Sequence, residues 1–316
     1  MTMLNLNEFG LQRKSKMYGK LIVLSLSILV SAKVLGWEPM VLENGHIRVN
    51  STIGGIEGYS IIDTGAEMNA INSIFIHVNK LAFDRGNFKV RVGGVYGEET
   101  RRTYRRVPVT LWGTEIPFRD LVDLNLRNKD LQMLLGAGFL ANFVFQFDYP
   151  NQRMRALPRG AVDMKKVKNV KSKRDPGGGS PLVQVKLDGR PIWLTLDTGN
   201  SSGVLVNRSM AVKEGWLDKY QVRSTTGFGA VSGGERISFN LESLEIGPFE
   251  LENPIVSVPP KGEVWNLFEK SASTSSRVHR SRGKSRGLLG YDVLKHFVVT
   301  IDYKGGQVHL APPESL

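Results

Sequence analysis

The residues best suited to chemistry in this 316-residue chain are two aspartates, each of which begins an Asp-Thr-Gly triplet. The first copy is Asp63-Thr64-Gly65 and the second is Asp197-Thr198-Gly199, and each follows a short apolar run. An apolar strand fixes the backbone that enters the turn, and glycine, which has no Cβ, allows the turn to be tight. Two carboxyl groups held face to face share one proton, so one can act as a base while the other acts as an acid.

The sequence around the triplets repeats as well. At a separation of 134 residues, Gly55 aligns with Gly189. At a longer separation of 154 residues, Leu134-Leu135-Gly136 aligns with Leu288-Leu289-Gly290. The longer separation indicates an insertion in the second half, which we place at residues 261–287. We interpret the chain as a diverged internal duplication in which each half supplies one aspartate.

This arrangement resembles the aspartic peptidases. In that family an apolar strand precedes Asp-Thr-Gly, and a glycine-rich hairpin and an apolar-apolar-Gly segment follow later in each half. The first triplet continues with Ala66-Glu67, which is similar to the retropepsin pattern. The second continues with Asn200-Ser201-Ser202, which is closer to the pepsin pattern. The resemblance covers residues 45–157 and 181–311.

The resemblance implies a fold and an activity. The fold class is all-β, with two homologous retropepsin-like or pepsin-like β-barrel lobes and an active-site cleft between them. The activity is that of an aspartic endopeptidase, in which Asp63 and Asp197 activate the water that attacks a peptide carbonyl. No cofactor or metal is implied, and a homodimer is not required because one chain carries both aspartates. The residues expected to support the catalytic turns are Thr64, Gly65, Thr198 and Gly199, the two threonines by bonding across to the opposite lobe.

Two glycine-rich segments downstream of the aspartates are predicted to be flaps. Glycine allows a mobile hairpin tip, and backbone exposed there can pair with an extended peptide as an added strand. Retropepsins have two flaps and pepsins have one, so two candidates favour the retropepsin arrangement. Tyr96 and Phe228 are candidates for lining a substrate pocket, and turn aromatics without a substrate role are the alternative. The predicted flap and substrate-binding residues are Gly93, Gly94, Val95, Tyr96, Gly227, Phe228 and Gly229.

Strand-like patterns support the all-β prediction. Residues 182–187 alternate between apolar and polar, Asp188-Gly189 forms a hairpin turn, and residues 191–196 return. Short helices are predicted after the Leu-Leu-Gly segments, at residues 138–142 and 292–296. The predicted domain boundaries are an N-terminal lobe at 37–160, a basic Gly-rich linker at 161–180, and a C-terminal lobe at 181–316 that contains the insertion.

Residues 1–36 are interpreted as a signal peptide or an N-terminal membrane anchor. Basic residues precede an apolar run at residues 21–32, and small residues follow it. Spanning a bilayer takes about twenty apolar residues, and Lys33 ends this run early, which favours a cleaved signal. We therefore predict an exported, periplasmic protein, with an inner-membrane-anchored or a secreted protein as the alternatives. The chain has no cysteine, which excludes disulfides and thiolate metal sites.

The net charge of +12 is concentrated in two segments, residues 165–174 and residues 277–286. An anionic partner at these basic loops is the functional interpretation. No aromatic residues lie among the charges, so solvated loops are favoured and no nucleic-acid partner is expected. The predicted partner is a polypeptide substrate.

Two alternatives to a peptidase stay open. A catalytically silent member of the fold could bind a peptide or an envelope partner in its cleft, although both aspartates and both following threonines are retained. Paired carboxylates could also act on a glycosidic bond, which the duplicated Asp-Thr-Gly context disfavours. The five histidines show no metal-ligand spacing, and no G-x-S-x-G nucleophile motif occurs.

Overall fold

The computed structural model describes residues 36–176, 179–268 and 285–313. The predicted signal or anchor lies outside these residues except for Gly36, and so do residues 269–284 of the basic insertion. The described residues all fall in one compact unit, Val34–Leu316. Within the described ranges, no helix has the length and apolar character needed to cross a membrane.

The backbone is mostly β-sheet. The strands of the first half are β1 Glu38–Pro39, β2 Val41–Glu43, β3 His46–Ile53, β4 Ile56–Ile62, β5 Ala70–Asn72, β6 Arg85–Gly93, β7 Glu98–Leu111, β8 Thr114–Leu124, β9 Leu131–Leu135, β10 Phe143–Asp148 and β11 Arg153–Pro158. Those of the second half are β12 Ser172–Arg174, β13 Pro181–Leu187, β14 Arg190–Leu196, β15 Val204–Val206, β16 Arg223–Phe228, β17 Gly233–Asn240, β18 Ser243–Ile246, β19 Phe249–Glu252, β20 Ile255–Val258, β21 Gly287–Leu289, β22 Val298–Asp302 and β23 Gln307–Ala311. The helices are α1 Ser73–Val78, α2 Ala137–Leu140, α3 Met164–Val167, α4 Arg208–Lys213, α5 Trp216–Lys219 and α6 Tyr291–Leu294, with one 3-10 turn at Asn266–Phe268.

In the part of the chain that the structure describes, these strands form three sheets. An eight-stranded sheet of the first half has the order β2-β3-β4-β9-β5-β8-β7-β6, and it curls into a barrel because β3 also pairs with β7. A ten-stranded sheet of the second half has the order β16-β17-β20-β15-β21-β14-β13-β18-β19, with β12 paired to β13. The third sheet, β1-β11-β10-β22-β23, takes strands from both halves. The predicted all-β fold with two similar lobes is confirmed.

Equivalent strand pairs lead to the two triplets. In the first lobe β4 runs parallel to β9, and the Asp63 N–H donates to the Leu135 carbonyl at 3.0 Å. In the second lobe β14 runs parallel to β21, and the Asp197 N–H donates to the Leu289 carbonyl at 2.9 Å. The Leu-Leu-Gly segments therefore lie directly beside the strands that carry the aspartates, and their leucines are core residues.

The five-stranded sheet joins the lobes. Its central strands β10 and β22 are antiparallel, and Phe147 is paired with Val299. The Gln146 Nε2 donates to the Thr300 Oγ1 at 2.9 Å across this pair. Phe147 also stacks on Phe145 at 5.7 Å, and both rings are buried. A single hydrophobic cluster thus extends from one half of the chain to the other.

Among the described residues, four short helices lie outside the predicted pattern, namely α1, α3, α4 and α5. Asparagine caps two of them: the Ile74 N–H donates to the Asn72 Oδ1, and the Ser209 N–H donates to the Asn207 Oδ1. Such caps stabilise a helix start, but these helices are too short to show a helical period. The two predicted helices are present as α2 and α6, each beginning one residue earlier than expected.

The segment predicted as a linker, residues 161–180, is more ordered than its composition indicates. Its described part contains α3 and β12, and it buries Met164 and Val170. The Asn169 side chain donates to the Leu310 carbonyl at 2.7 Å and accepts the Leu310 N–H at 2.9 Å. The basic segment is therefore fastened to the C-terminal strand. The two buried residues, Met164 and Val170, are each isolated among charged or polar residues, so the sequence shows no apolar periodicity there.

We expect Phe147→Ala to destabilise the protein by about 3–5 kcal/mol, because a fully buried aromatic side chain leaves a cavity. The ring lies in the sheet shared by both lobes, so urea unfolding should remain one cooperative transition with a lower midpoint. Phe88→Ala, at a side chain 47% exposed, is the control and should change stability by less than about 0.5 kcal/mol. Separate unfolding of the two halves in the unsubstituted protein would contradict the shared core.

Candidate active site

The two aspartates face each other at the junction of the lobes. Each carboxyl group lies directly beside the glycine of the opposite triplet. Asp63 Oδ1 also accepts the N–H groups of Gly65 at 2.8 Å and Ala66 at 3.0 Å, while Asp197 Oδ1 accepts the Gly199 N–H at 2.8 Å. Asp63 is half-buried, and Asp197 is 8% exposed. The structure thus brings together the two side chains that the duplication singled out.

The threonines of the triplets cross from lobe to lobe. The Thr64 Oγ1 donates to the Leu196 carbonyl at 2.7 Å, and the Thr198 Oγ1 donates to the Ile62 carbonyl at 2.8 Å. Each hydroxyl oxygen also accepts the backbone N–H of the other threonine, at 3.0 Å in both directions. All four bonds are buried. They fix the two triplets against each other in a nearly symmetric arrangement.

Close approach explains the glycines of the triplets. A Cβ placed on Gly65 would lie 2.6 Å from the carboxyl carbon of Asp197, and a Cβ on Gly199 would clash with the Asp63 carboxyl group in the same way. Any side chain at either position would push the opposite carboxyl group away. Both glycines are therefore required by the spacing of the aspartates themselves.

Burial raises the pKa values of both carboxyl groups. Burial raises the pKa of Asp63 above its ordinary value of 3.8, although hydrogen bonds from Asp197, Gly65 and Ala66 oppose the shift. The pKa of Asp197 is raised well above 3.8, first by burial and then by the nearby charge of Asp63. The pair can therefore hold one proton over a range of pH in which an isolated carboxyl group is ionised.

Both predicted flaps are hairpin tips. Flap 1, residues 93–97, joins β6 to β7, and the Gly94 N–H donates to the Gly97 carbonyl at 2.8 Å. Flap 2, residues 227–232, joins β16 to β17, and the Gly229 N–H donates to the Ser232 carbonyl at 2.8 Å. The tips touch each other, because the Ser232 Oγ donates to the Tyr96 carbonyl at 3.2 Å.

The two flap aromatics differ in environment. Tyr96 packs edge-on against Trp265 of the second lobe, with ring centroids 5.6 Å apart. Together with Val95 it covers a small apolar cluster formed by Leu205, Trp265 and Leu288. Phe228 is 77% exposed, and the Arg127 guanidinium lies over its ring at 5.2 Å. Tyr96 is therefore the flap aromatic that is placed against the opposite lobe.

Three side chains from other parts of the chain contact the flaps and could not be identified from the sequence. Arg127 follows β8, and Trp265 and Asn266 follow β20. The internal duplication does not mark these residues. The position in the second half that is equivalent to Arg127 is not an arginine, and Trp265 and Asn266 lie in the insertion, which has no counterpart in the first half. Among the described residues, no group of three or more His, Asp or Glu side chains is placed to hold a metal ion.

Comparison with known proteins places part of the chain in a family. Residues 183–293 match the family model described as aspartyl protease. No curated protein matches the chain. The resemblance read from the sequence is confirmed over this range. The range begins within β13, ends within α6, and contains Asp197, flap 2 and the second Leu-Leu-Gly segment.

We expect Thr64→Val to destabilise the protein by about 1–3 kcal/mol, because it leaves a buried carbonyl and a buried N–H without partners. Thr64→Ser retains the hydroxyl group and is the matched control, with a smaller loss. Urea unfolding monitored by circular dichroism measures both. Equal stability of the Val and Ser variants would show that the crossed hydroxyls do not hold the lobes together.

The raised pKa of Asp197 predicts a pH dependence of stability. Between the ordinary pKa of 3.8 and the raised value, the folded protein binds more protons than the unfolded chain, so stability falls as pH rises. The side chain at position 197 cannot ionise in the Asp197→Asn variant, so this variant should lose that part of the pH dependence and be more stable than the unsubstituted protein at pH 7. Urea midpoints at pH 4 to 7 test this, with the exposed Asp130→Asn as the control. An unchanged pH dependence in Asp197→Asn would contradict the prediction.

Proposed function

We propose that this protein is an aspartic endopeptidase that hydrolyses peptide bonds in extended polypeptides through a water activated by Asp63 and Asp197. The observation that carries the proposal is the pair of carboxyl groups on equivalent turns, each of which lies beside the glycine of the opposite triplet. The aspartyl-protease match of residues 183–293 supports peptidase chemistry in general. The role of Asp63, which lies outside the matched range, rests on the repeated triplet and on the reciprocal contacts between Thr64 and Thr198.

The chemistry follows from the unequal environments of the two carboxyl groups. Backbone N–H groups donate to both carboxyl groups and burial raises both pKa values, but the charge of Asp63 raises the pKa of Asp197 further, which favours the protonated form of Asp197. Ionised Asp63 takes a proton from water, which attacks the peptide carbonyl carbon, and Asp197 donates its proton to the carbonyl oxygen. The tetrahedral intermediate collapses as Asp63 passes the proton that it took from water to the leaving nitrogen, and Asp197 recovers its proton from a hydroxyl group of the intermediate. No bond between enzyme and substrate forms.

The flaps supply the second requirement, which is an extended peptide held over the dyad. Hairpin tips in flap 1 and flap 2 carry backbone groups that can pair with a peptide as an added strand. Val95 and Tyr96 contribute apolar surface next to Leu205 and Leu288 of the second lobe. This arrangement favours a polypeptide over a small substrate.

The location of the reaction is part of the proposal. Residues 1–36 carry the sequence pattern of an export signal, so we propose a periplasmic enzyme that acts on polypeptides of the envelope. Retention as an inner-membrane-anchored protein, or secretion, is the alternative. Fractionation of cells that express the full chain, with and without residues 1–36, separates these locations.

The decisive experiment uses protein from Trp37 onward and a mixed peptide library between about pH 3 and pH 8, a range that brackets carboxyl pKa values. We expect a bell-shaped pH profile that is displaced above the ordinary carboxyl range, because both dyad pKa values are raised. Below the lower apparent pKa both groups are protonated, and above the higher one both are ionised, so activity falls on each side.

Asp63→Asn and Asp197→Asn should each lower cleavage by at least about a thousandfold, since each removes one member of the acid–base pair. Asp130→Asn is the control and should cleave normally. If all proteins are folded and none cleaves, but peptide still binds in the cleft, the silent peptide-binding alternative replaces the peptidase. Cleavage that persists in both dyad variants would remove the dyad from the mechanism.

A further inference from the structure

One side chain of the first lobe holds the tip of flap 2. The Arg127 Nη1 donates to the Gly229 carbonyl at 3.1 Å, and the Arg127 Nη2 donates to the Val231 carbonyl at 2.8 Å. Arg127 belongs to the loop between β8 and β9, whereas flap 2 belongs to the second lobe. The contact therefore crosses the boundary between the lobes directly at the flap tip.

One side chain of the second lobe holds the tip of flap 1 in a corresponding way. The Asn266 Nδ2 donates to the Gly94 carbonyl at 3.0 Å and to the Gly97 carbonyl at 3.3 Å. Asn266 begins the 3-10 turn that follows β20. Each lobe thus reaches over to the flap of the other lobe, and each contact joins one side-chain donor group to two carbonyl oxygens.

The residue types suit this task. A guanidinium group presents several N–H donors in a rigid fork, and a side-chain amide presents two donors on one nitrogen, so each can bridge two carbonyl groups. The backbone of Arg127 is fixed as well, since its N–H donates to Asn125 Oδ1 at 2.8 Å. Its φ of 59° is uncommon for a residue other than glycine. The loop is therefore shaped to direct this arginine.

We propose that Arg127 and Asn266 are positioning residues that hold flap 2 and flap 1 closed by latching each tip to the opposite lobe. The inference rests on the proposed function, because it treats the two hairpins as the covers of the aspartate pair. A peptide reaches the aspartates after the latches break, so these two side chains set the fraction of molecules with open flaps. Neither side chain takes part in the chemical step.

The latches are coupled because the flap tips also contact each other. Ser232 of flap 2 bonds to the Tyr96 carbonyl of flap 1, and Gly94 lies against the backbone of Ala230. When one latch is lost, its flap is still held by the neighbouring tip. Loss of both latches should therefore open the flaps by more than the sum of the single losses.

Flap opening can be measured as a distance, independently of cleavage. The chain has no cysteine, so Arg91→Cys and Thr226→Cys place two unique spin labels at exposed positions on the flap strands. Double electron–electron resonance measures the distance between the two labels. In the full-length protein, with Asp63→Asn present to prevent self-cleavage, it should give one narrow distance distribution. Arg127→Ala with Asn266→Ala should add a broad component at longer distance. Arg119→Ala, an exposed arginine of β8 that makes no flap contact, is the matched control.

Hydrogen exchange provides a second measurement that does not depend on labels. Amides of residues 93–98 and 228–233 should exchange about tenfold faster in the double variant, as expected when a pair of hydrogen bonds is lost at each tip. Amides of β10 and β22 should not change, which shows that the fold is intact. Arg127→Lys keeps the charge but not the fork, so it should lie between the unsubstituted protein and Arg127→Ala.

The outcomes separate this inference from the proposed function. An unchanged distance distribution and unchanged flap exchange in the double variant would overturn the latches, even if the protein cleaves peptides through its aspartates. An equal effect of Arg119→Ala would overturn them too, because the response would then not depend on flap contacts. Flaps that open as expected support the latches, even in a protein that binds peptides without cleaving them.

Discussion

The arrangement of this protein depends on the reciprocal contact between Thr64 and Thr198. Two carboxyl groups repel each other when both are ionised, and burial makes each charge still less favourable. They stay adjacent because each threonine hydroxyl is bonded to the backbone of the opposite lobe on the strand that delivers the other aspartate. Gly65 and Gly199 then leave room for the carboxyl groups to approach. Burial raises both pKa values, and the nearby charge of Asp63 raises that of Asp197 further.

The rest of the fold supplies the rigidity that this contact requires. Beneath the triplets, the parallel pairs β4–β9 and β14–β21 anchor the aspartate backbones, and the sheet containing β10 and β22 ties the lobes into one core. Above them, the flaps meet at their tips and are held by polar side chains near the surface. Segments near the surface open more readily than buried sheets, so we expect the flaps to open before the sheet beneath the triplets does.

The central site and the fold class could be predicted because they repeat within the chain. Asp63 and Asp197, their threonines, and the Leu-Leu-Gly segments recur at matching positions, so each copy supports the other. The latching side chains could not be predicted, since Arg127 and Asn266 come from loops of different length with no common register. Helix α1 was missed because a single asparagine cap is a weak signal in a six-residue helix. The burial of Met164 and Val170 within residues 161–180 could not be predicted, because each is a single apolar residue among charged or polar ones.

The presence of both lobes in one chain has a consequence for the direction in which a peptide can bind. A peptide has an amino end and a carboxyl end, whereas a site built from two identical subunits presents the same surface to both orientations. Here the two halves are covalently one molecule, and a substitution in one half is not copied into the other. The flaps already differ, with Tyr96 packed inward on one side and Phe228 exposed on the other. On the proposed function, a site of this kind distinguishes the direction in which a peptide lies across the aspartates.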